Sequence, residues 1–297
     1  MSEAQRLEVD GSTVFIEGAG SGTVVMVHGW PDTHRLWDAQ VALLSPHLRC
    51  VRFTLPGYDR QRGRRALTLQ QMTAHIAAVV DAASPQQAVT LLLHDWGAIY
   101  GYQYALQHPQ RVARIVGVDI GDTASGEFVR SLSIKAKLQI ASYQLWLALA
   151  YHLPVGLGDR MTRWMARQKR APARPGDIGA HMNHPYVAQW SGGFRAARRF
   201  TPHCPMLFVY GQRKPFMFHA SAWAQRLAAM PGCAVQGLKA GHWVMVNQPA
   251  QFNQLLGAWL GLPAATNSAS SEEPKNPALG PTSVATTPEH ITPGAPT

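Results

Sequence analysis

Three short segments of the 297-residue chain carry side chains that can do chemistry together. In Leu92-Leu93-His94-Asp95-Trp96-Gly97-Ala98 an apolar run passes straight into a helical stretch through Asp95. A tight strand-to-helix turn of this kind presents one side chain above a sheet. Gly97 permits the turn, and the following helix aims its N-terminal dipole at that side chain. A carboxylate so placed can attack an sp3 carbon, as in an epoxide or an alkyl halide, to give an ester that water then hydrolyses. Asp is also a favoured helix cap, which is the alternative role for Asp95. Ala240-Gly241-His242-Trp243 sets a histidine in a loop after the last apolar run, ahead of a helical stretch at 248–260, where it can serve as a base. The third segment, His28-Gly29-Trp30-Pro31-Asp32, follows the first strong apolar run.

These segments need a scaffold, and the rest of the chain supplies its rhythm. Apolar runs at 23–27, 49–54, 88–93, 115–120, 206–210 and 234–238 are continuous rather than alternating, as in strands buried on both faces of a parallel sheet. Between most of them lie helical stretches. In 69–83, Met72, Ile76, Val79 and Val80 follow a 3.6-residue period, and 99–108 stops at Pro109. The alternation predicts an α/β fold with a mostly parallel central sheet flanked by helices. Residues 123–200 break the rhythm with a helical segment after the fourth of these runs, which predicts an inserted lid over the carboxyl ends of the strands. The core then comprises 1–122 and 201–263. Residues 264–297 are Pro, Thr, Ser, Ala and Gly with few large apolar side chains, the composition of a disordered tail.

Composition excludes several classes of function. An apolar share of 46% argues against a largely disordered chain. The net charge is +10, with Arg-rich stretches at 60–65 and 160–174, yet no zinc-finger spacing or interleaved basic-aromatic pattern accompanies it. A solvated basic surface is expected, and no nucleic-acid partner. Cys50, Cys204 and Cys233 are widely spaced without a CxxC, so neither a metal site nor a redox pair is expected. The polar start lacks an apolar signal region, and the longest apolar stretch, 138–153, is short for a membrane span. A cytoplasmic location and no membrane span follow as expectations. Phosphate-loop and dinucleotide motifs are lacking, so no cofactor is expected.

The segments HGWPD, HDWGA and GHW resemble the α/β-hydrolase superfamily, in the branch of epoxide hydrolases and haloalkane dehalogenases, over about residues 22–260. The resemblance implies Asp95 as nucleophile, His242 as the base that activates water, and the backbone N–H groups of Trp30 and Trp96 as oxyanion donors. Leu93 departs from the Gly of many epoxide hydrolases and is similar to several dehalogenases. The third member of the triad is the open point. The usual acid follows the strand at 206–210, where this chain reads Gly211-Gln212-Arg213-Lys214-Pro215. Some members take the acid from the end of the earlier strand, which makes Asp119 the first candidate and Asp122 the second.

The lid discriminates between the chemistries. Epoxide opening needs proton donors on the leaving oxygen, and in epoxide hydrolases two lid tyrosines supply them. Tyr143 and Tyr186 match these positions, with Tyr151 a further candidate. Dehalogenation needs halide donors. Trp96 is one candidate, while Trp30 replaces the common Asn after His-Gly. Fluoroacetate-type dehalogenases use Arg residues where this chain has Trp96 and Ile99. The expected activity is therefore cofactor-free hydrolysis of an epoxide to a diol through an alkyl ester on Asp95, acting on a small apolar or amphipathic substrate. The alternatives are a haloalkane dehalogenase, or a ligand-binding homologue in which Lys214 has replaced the acid.

Overall fold

Short β-branched and aliphatic runs build the centre of an eight-stranded sheet. In the computed structural model, which describes residues 4–263, the strands are β1 (Gln5–Val9), β2 (Ser12–Glu17), β3 (Thr23–Val27), β4 (Arg49–Phe53), β5 (Val89–His94), β6 (Val112–Val118), β7 (Met206–Gly211) and β8 (Ala234–Leu238). Their spatial order is β1-β2-β4-β3-β5-β6-β7-β8. The pairs β1–β2 and β2–β4 are antiparallel and all others are parallel. The six expected strands are present. The strand expected at 115–120 starts earlier, at Val112, and stops at Val118 because Asp119 turns the chain with φ 67°. The hairpin β1–β2 was not expected. Its strands are half-exposed and mixed in polarity, but Asp10-Gly11, both at positive φ, make the two-residue turn between them.

Alternate residues of the central strands enter opposite faces. Val25, Val27, Leu91 and Leu93 pack against α2 (Leu69–Ala83) and α3 (Trp96–Gln107) on one side. Val24, Met26, Leu92, Val116 and Val209 pack on the other side against α1 (Asp38–Leu44) and α10 (Pro249–Leu260). Helix α2 begins with a reciprocal capping box between Thr68 and Gln71, which satisfies two otherwise free N–H groups.

Between β6 and β7 lie α4 (Gly126–Ser131), α5 (Ile134–His152), α6 (Val155–Gln168) and α7 (His184–Ser191). Helix α8 (Ser221–Ala228) connects β7 to β8, and α9 (Val244–Asn247) precedes α10. The insertion and the sheet form one compact unit that runs to Pro263. The predicted disordered tail lies outside the described residues. Two arginines of the largely exposed stretch at 60–65 also make contacts with the insertion. Arg60 Nη2 lies 2.5 Å from the buried carboxylate of Asp159 on α6, and Arg64 Nη1 donates to the carbonyls of Tyr151 (2.5 Å) and Leu153 (2.7 Å). Among the described residues no helix is long and apolar enough to cross a membrane.

Candidate active site

Strand β5 ends at His94, and Asp95 follows with φ 53° and ψ −128°, a conformation that costs a non-glycine residue free energy. Its carboxylate does not cap α3. Capping, the alternative role for this residue, is thereby set aside. The helix starts flush against the end of β3. A Cβ on Gly97 would press into the carbonyl oxygens of Val27 and His28, so only glycine fits there.

The loop after β3 wraps the same carboxylate. The Trp30 N–H donates to Asp95 Oδ1 at 2.6 Å. Gly29 lies so close that a Cβ would press into Asp95 Oδ1 and the Trp96 amide nitrogen. One oxygen of Asp95 is thus held by the Trp30 amide, while the other faces His242. His28 holds the loop from behind. Its Nε2 accepts the Leu55 N–H at 3.0 Å and its Nδ1 lies 3.0 Å from the Gly29 carbonyl. Burial lowers its pKa to about 3, so the ring is neutral. Asp32 accepts from the Trp243 indole at 2.8 Å, which ties this loop to the one bearing His242, and burial raises its pKa to about 7.

His242 bridges two carboxylates. Its Nε2 lies 3.3 Å from Asp95 Oδ2 and its Nδ1 lies 2.6 Å from Asp119 Oδ2. Of the two candidates for the third acid, the structure brings Asp119 to the histidine and not Asp122. Asp122 accepts instead from the Ala220 N–H at 2.9 Å and the Ser125 hydroxyl at 2.6 Å, and so fastens the start of the insertion. Lys214 does occupy the loop after β7, but its ammonium pairs with Asp119 Oδ1, which also accepts the Gly211 N–H at 3.0 Å. The lysine therefore clamps Asp119.

The charges follow from these contacts. Burial opposes ionisation of Asp119, but Lys214 and His242 outweigh it and hold its pKa at about 2. Burial likewise opposes a charged His242, and hydrogen bonds to Asp119 and Asp95 overcome it, raising the pKa to about 9. Asp95 is desolvated too, and His242 still holds its pKa below the usual carboxylate value. Both carboxylates thus favour the protonated form of His242. His94, which sequence reasoning left without a role, lies beside His242 with ring centroids 4.5 Å apart and planes tilted by 42°, and burial keeps it neutral with a pKa of about 3.

A cavity of about 440 Å³ opens over Asp95 and is lined largely by apolar side chains, including Ile99, Phe194 and Phe218. Tyr143 from α5 and Tyr186 from α7 both line it, with ring centroids 6.1 Å apart. Tyr186 stands edge-on to Trp96 at 5.3 Å and to Trp30 at 5.8 Å. Burial raises the pKa of both phenols, so each keeps its proton at neutral pH. Tyr151, the further candidate, is not among the cavity residues. Another hollow, about 400 Å³, lies beside Phe15, His34 and Arg60 and includes none of these groups. Asn183 was missed from sequence. Its Oδ1 accepts the Trp30 indole N–H at 2.9 Å and its Nδ2 donates to Thr162 at 2.8 Å. No spacing rule would single out one asparagine for that role. Among the described residues no group of three or more His, Cys, Asp or Glu could hold a metal ion.

Known proteins resemble this chain in sequence and in fold. The family model described as "Alpha/beta hydrolase family" matches residues 24–255. The Probable oxidoreductase EphD of Mycobacterium tuberculosis is 27% identical over 80% of this chain and 45% of that protein. The chain thus spans about half the length of that relative. The pimeloyl-[acyl-carrier protein] methyl ester esterase of Serratia marcescens is 28% identical over 82% of this chain and 95% of the esterase. The solved structure of an epoxide hydrolase from Bacillus megaterium with an inhibitor superposes with a TM-score of 0.65 at 19% identity, covering 86% of this chain and all of that one.

Proposed function

The chain belongs to the alpha/beta hydrolase family, and on that premise we propose that it opens epoxides to diols through an alkyl ester of Asp95. The observation that carries the reading is the pair Tyr143 and Tyr186, two neutral phenols lining the same apolar cavity as the Asp95 carboxylate. Helices α4 to α7 then act as a lid that brings the proton donors. Asp95 Oδ2 attacks a ring carbon, the carbon–oxygen bond breaks, and the leaving oxygen takes a proton from a tyrosine. Asp95 Oδ1, already on the Trp30 N–H, becomes the ester carbonyl oxygen. When water attacks the ester carbon, negative charge develops on that same oxygen, in a donor site that needs no rearrangement.

His242 removes the proton from that water. In the resting protein it is cationic, partly because Asp95 is charged. Alkylation neutralises Asp95, so that support is lost and the histidine pKa falls; His242 then gives up its proton, which through solvent replaces the one the tyrosine donated, and stands neutral as the base. On collapse the leaving oxygen takes the proton of the added hydroxyl, so the diol departs, Asp95 is again a carboxylate and His242 again carries a proton, with one water consumed.

Ester hydrolysis, the reaction named for the Serratia relative, is poorly suited to this nucleophile. A carboxylate that attacked an ester carbonyl would form a mixed anhydride, which is higher in energy than the ester. The dehalogenase alternative lacks the common Asn, and the indole of Trp30, which stands in that place, is bonded to Asn183. The binding-protein alternative rested on Lys214, and Asp119 supplies the carboxylate regardless.

The test is intact-protein mass spectrometry of His242→Gln incubated with a mixed panel of epoxides and alkyl halides. A mass gain equal to a whole epoxide, mapped to the Asp95 peptide, is the expected result. A gain equal to an alkyl group after halide loss would replace the reading with dehalogenation. No adduct with either class, with the wild type also inactive, would end both.

A further inference from the structure

Helix α5 is apolar on two sides. Ala136, Leu147 and Ala150 face inward and are buried. On the opposite side Ile134, Leu138, Leu145 and Leu149, at spacings of four, seven and four, form one stripe, with Ile134 78% and Leu138 65% exposed. A helix that is apolar all round is ordinarily covered all round. Here no described residue covers the outer side. Helix α6 extends the surface with exposed Val155 and Leu157, and its Trp164 rests on Trp146 of α5 with ring centroids 5.2 Å apart. Val129 and Trp190, both half-exposed, line the cavity over Asp95, so the apolar rim of the cavity belongs to the same insertion.

Charge is concentrated in this insertion as well. Residues 123–200 hold twelve Lys and Arg against three Asp and Glu, which places nine of the ten net positive charges there. Two of the three acids are already paired, Asp159 with Arg60 and Arg163, and Glu127 with Arg199 and Arg226. Lys135 on α5 and Arg160 and Arg167 on α6 are exposed on the same two helices.

We propose that the outer face of α5 and α6 docks on the surface of an anionic phospholipid bilayer, with the apolar stripe entering the interface and the flanking cations meeting the headgroups. Leu, Ile and Trp beside Lys and Arg is the combination that seats a helix in the plane of a membrane surface. Charge complementarity selects this occupant over a second copy of the chain. Two copies meeting through this face would bring two strongly positive insertions together. Nor does an apolar stripe suit a nucleic-acid backbone, which is polar and hydrated. The docking itself is independent of the reaction. Only the corollary that apolar substrate enters from the lipid side rests on the epoxide reading.

The test is flotation of the full chain with vesicles of phosphatidylcholine, with and without phosphatidylglycerol, at low and high salt. Strong binding to the anionic vesicles is expected, at least about tenfold weaker on neutral ones and weakened by salt. The double variant Leu138→Gln/Leu145→Gln changes two exposed side chains and should fold. It is expected to bind anionic vesicles at least about tenfold more weakly. Failure of the wild type to float with anionic vesicles at low salt overturns the proposal. So does unchanged binding by the double variant, which would reduce the effect to charge alone. A wild-type dimer in sedimentation that the double variant abolishes would assign the face to a second copy instead.

Discussion

Lys214→Met removes the one ammonium that touches the proposed triad acid, and its effect on His242 can be worked from the geometry. The ammonium sits on Asp119 Oδ1, while His242 Nδ1 is 2.6 Å from the other oxygen. The two cations are therefore about one carboxylate apart, roughly 6 Å, which at an effective dielectric of about 20 is a repulsion of about 3 kcal/mol, or about two pH units. Water that enters the vacated space screens part of this, so a rise of about one to two units in the His242 pKa is expected. The general base must be neutral, so the acid limb of alkyl-ester hydrolysis moves to higher pH by that amount while the plateau rate changes little. Single-turnover kinetics across pH measure the limb, and titration of the His242 ring by NMR in the resting protein measures the pKa without turnover. Lys214→Arg retains the charge and should behave as wild type. A limb and a ring pKa that stay in place in Lys214→Met, or move to lower pH, would refute the argument that Lys214 tunes the histidine through Asp119.

Gly29→Ala puts a methyl group against Asp95 Oδ1 and the Trp96 amide. It should slow ester hydrolysis by about 100-fold or more, as loss of an oxyanion donor does, while circular dichroism stays unchanged. Tyr143→Phe or Tyr186→Phe should each slow ester formation on an epoxide by about 100-fold, and neither should change hydrolysis of an ester once formed. Stability should peak near pH 6.5 to 7 in thermal melts. His28, His94 and His184 are held neutral with pKa values of about 3, so their contribution is full above about 6.5 and is lost as pH falls through the acid range. Asp32, raised to about 7, opposes them there as a single group. His242, raised to about 9, contributes fully below about 6.5 and loses that contribution as pH rises through 9. Asp159→Ala leaves the Ala180 N–H without its acceptor and unpairs Arg60 and Arg163, which are part-exposed and keep carbonyl partners, and urea unfolding should report a loss of about 1 to 2 kcal/mol.

The central sheet was legible because strands buried on both faces must be continuously apolar, and few other segments of this chain are. The hairpin β1–β2 escaped notice because one of its edges faces solvent and its pattern is mixed, although Asp10-Gly11 was a readable turn. Asp95, His242 and Trp30 stood out through short motifs in which glycine is forced by close approach, as Gly29 and Gly97 now demonstrate. The choice between Asp119 and Asp122 was not legible. Both follow the same strand, and only the chain reversal at Asp119 turns one toward His242. The role of Lys214 was hidden for a related reason. Its position on β7's loop advertised a missing acid, whereas its contact depends on a neighbouring strand. Asn183 and the pairing of Arg60 with Asp159 depend on how the insertion seats, and local spacing carries no record of that.

Trp30 serves two masters. Its main-chain N–H holds the Asp95 oxygen on which charge develops in the proposed reaction, and its indole is bonded to Asn183, immediately ahead of α7 and Tyr186. A guest too bulky for α7 to settle over it must strip the indole of its partner and loosen the very residue that supplies the donor. Rejection of oversized molecules is then enforced at the step of water attack as well as at the doorway. Such a guest would be penalised as a slow-clearing adduct, a kinetic form of size exclusion that the dimensions of the cavity alone would not disclose.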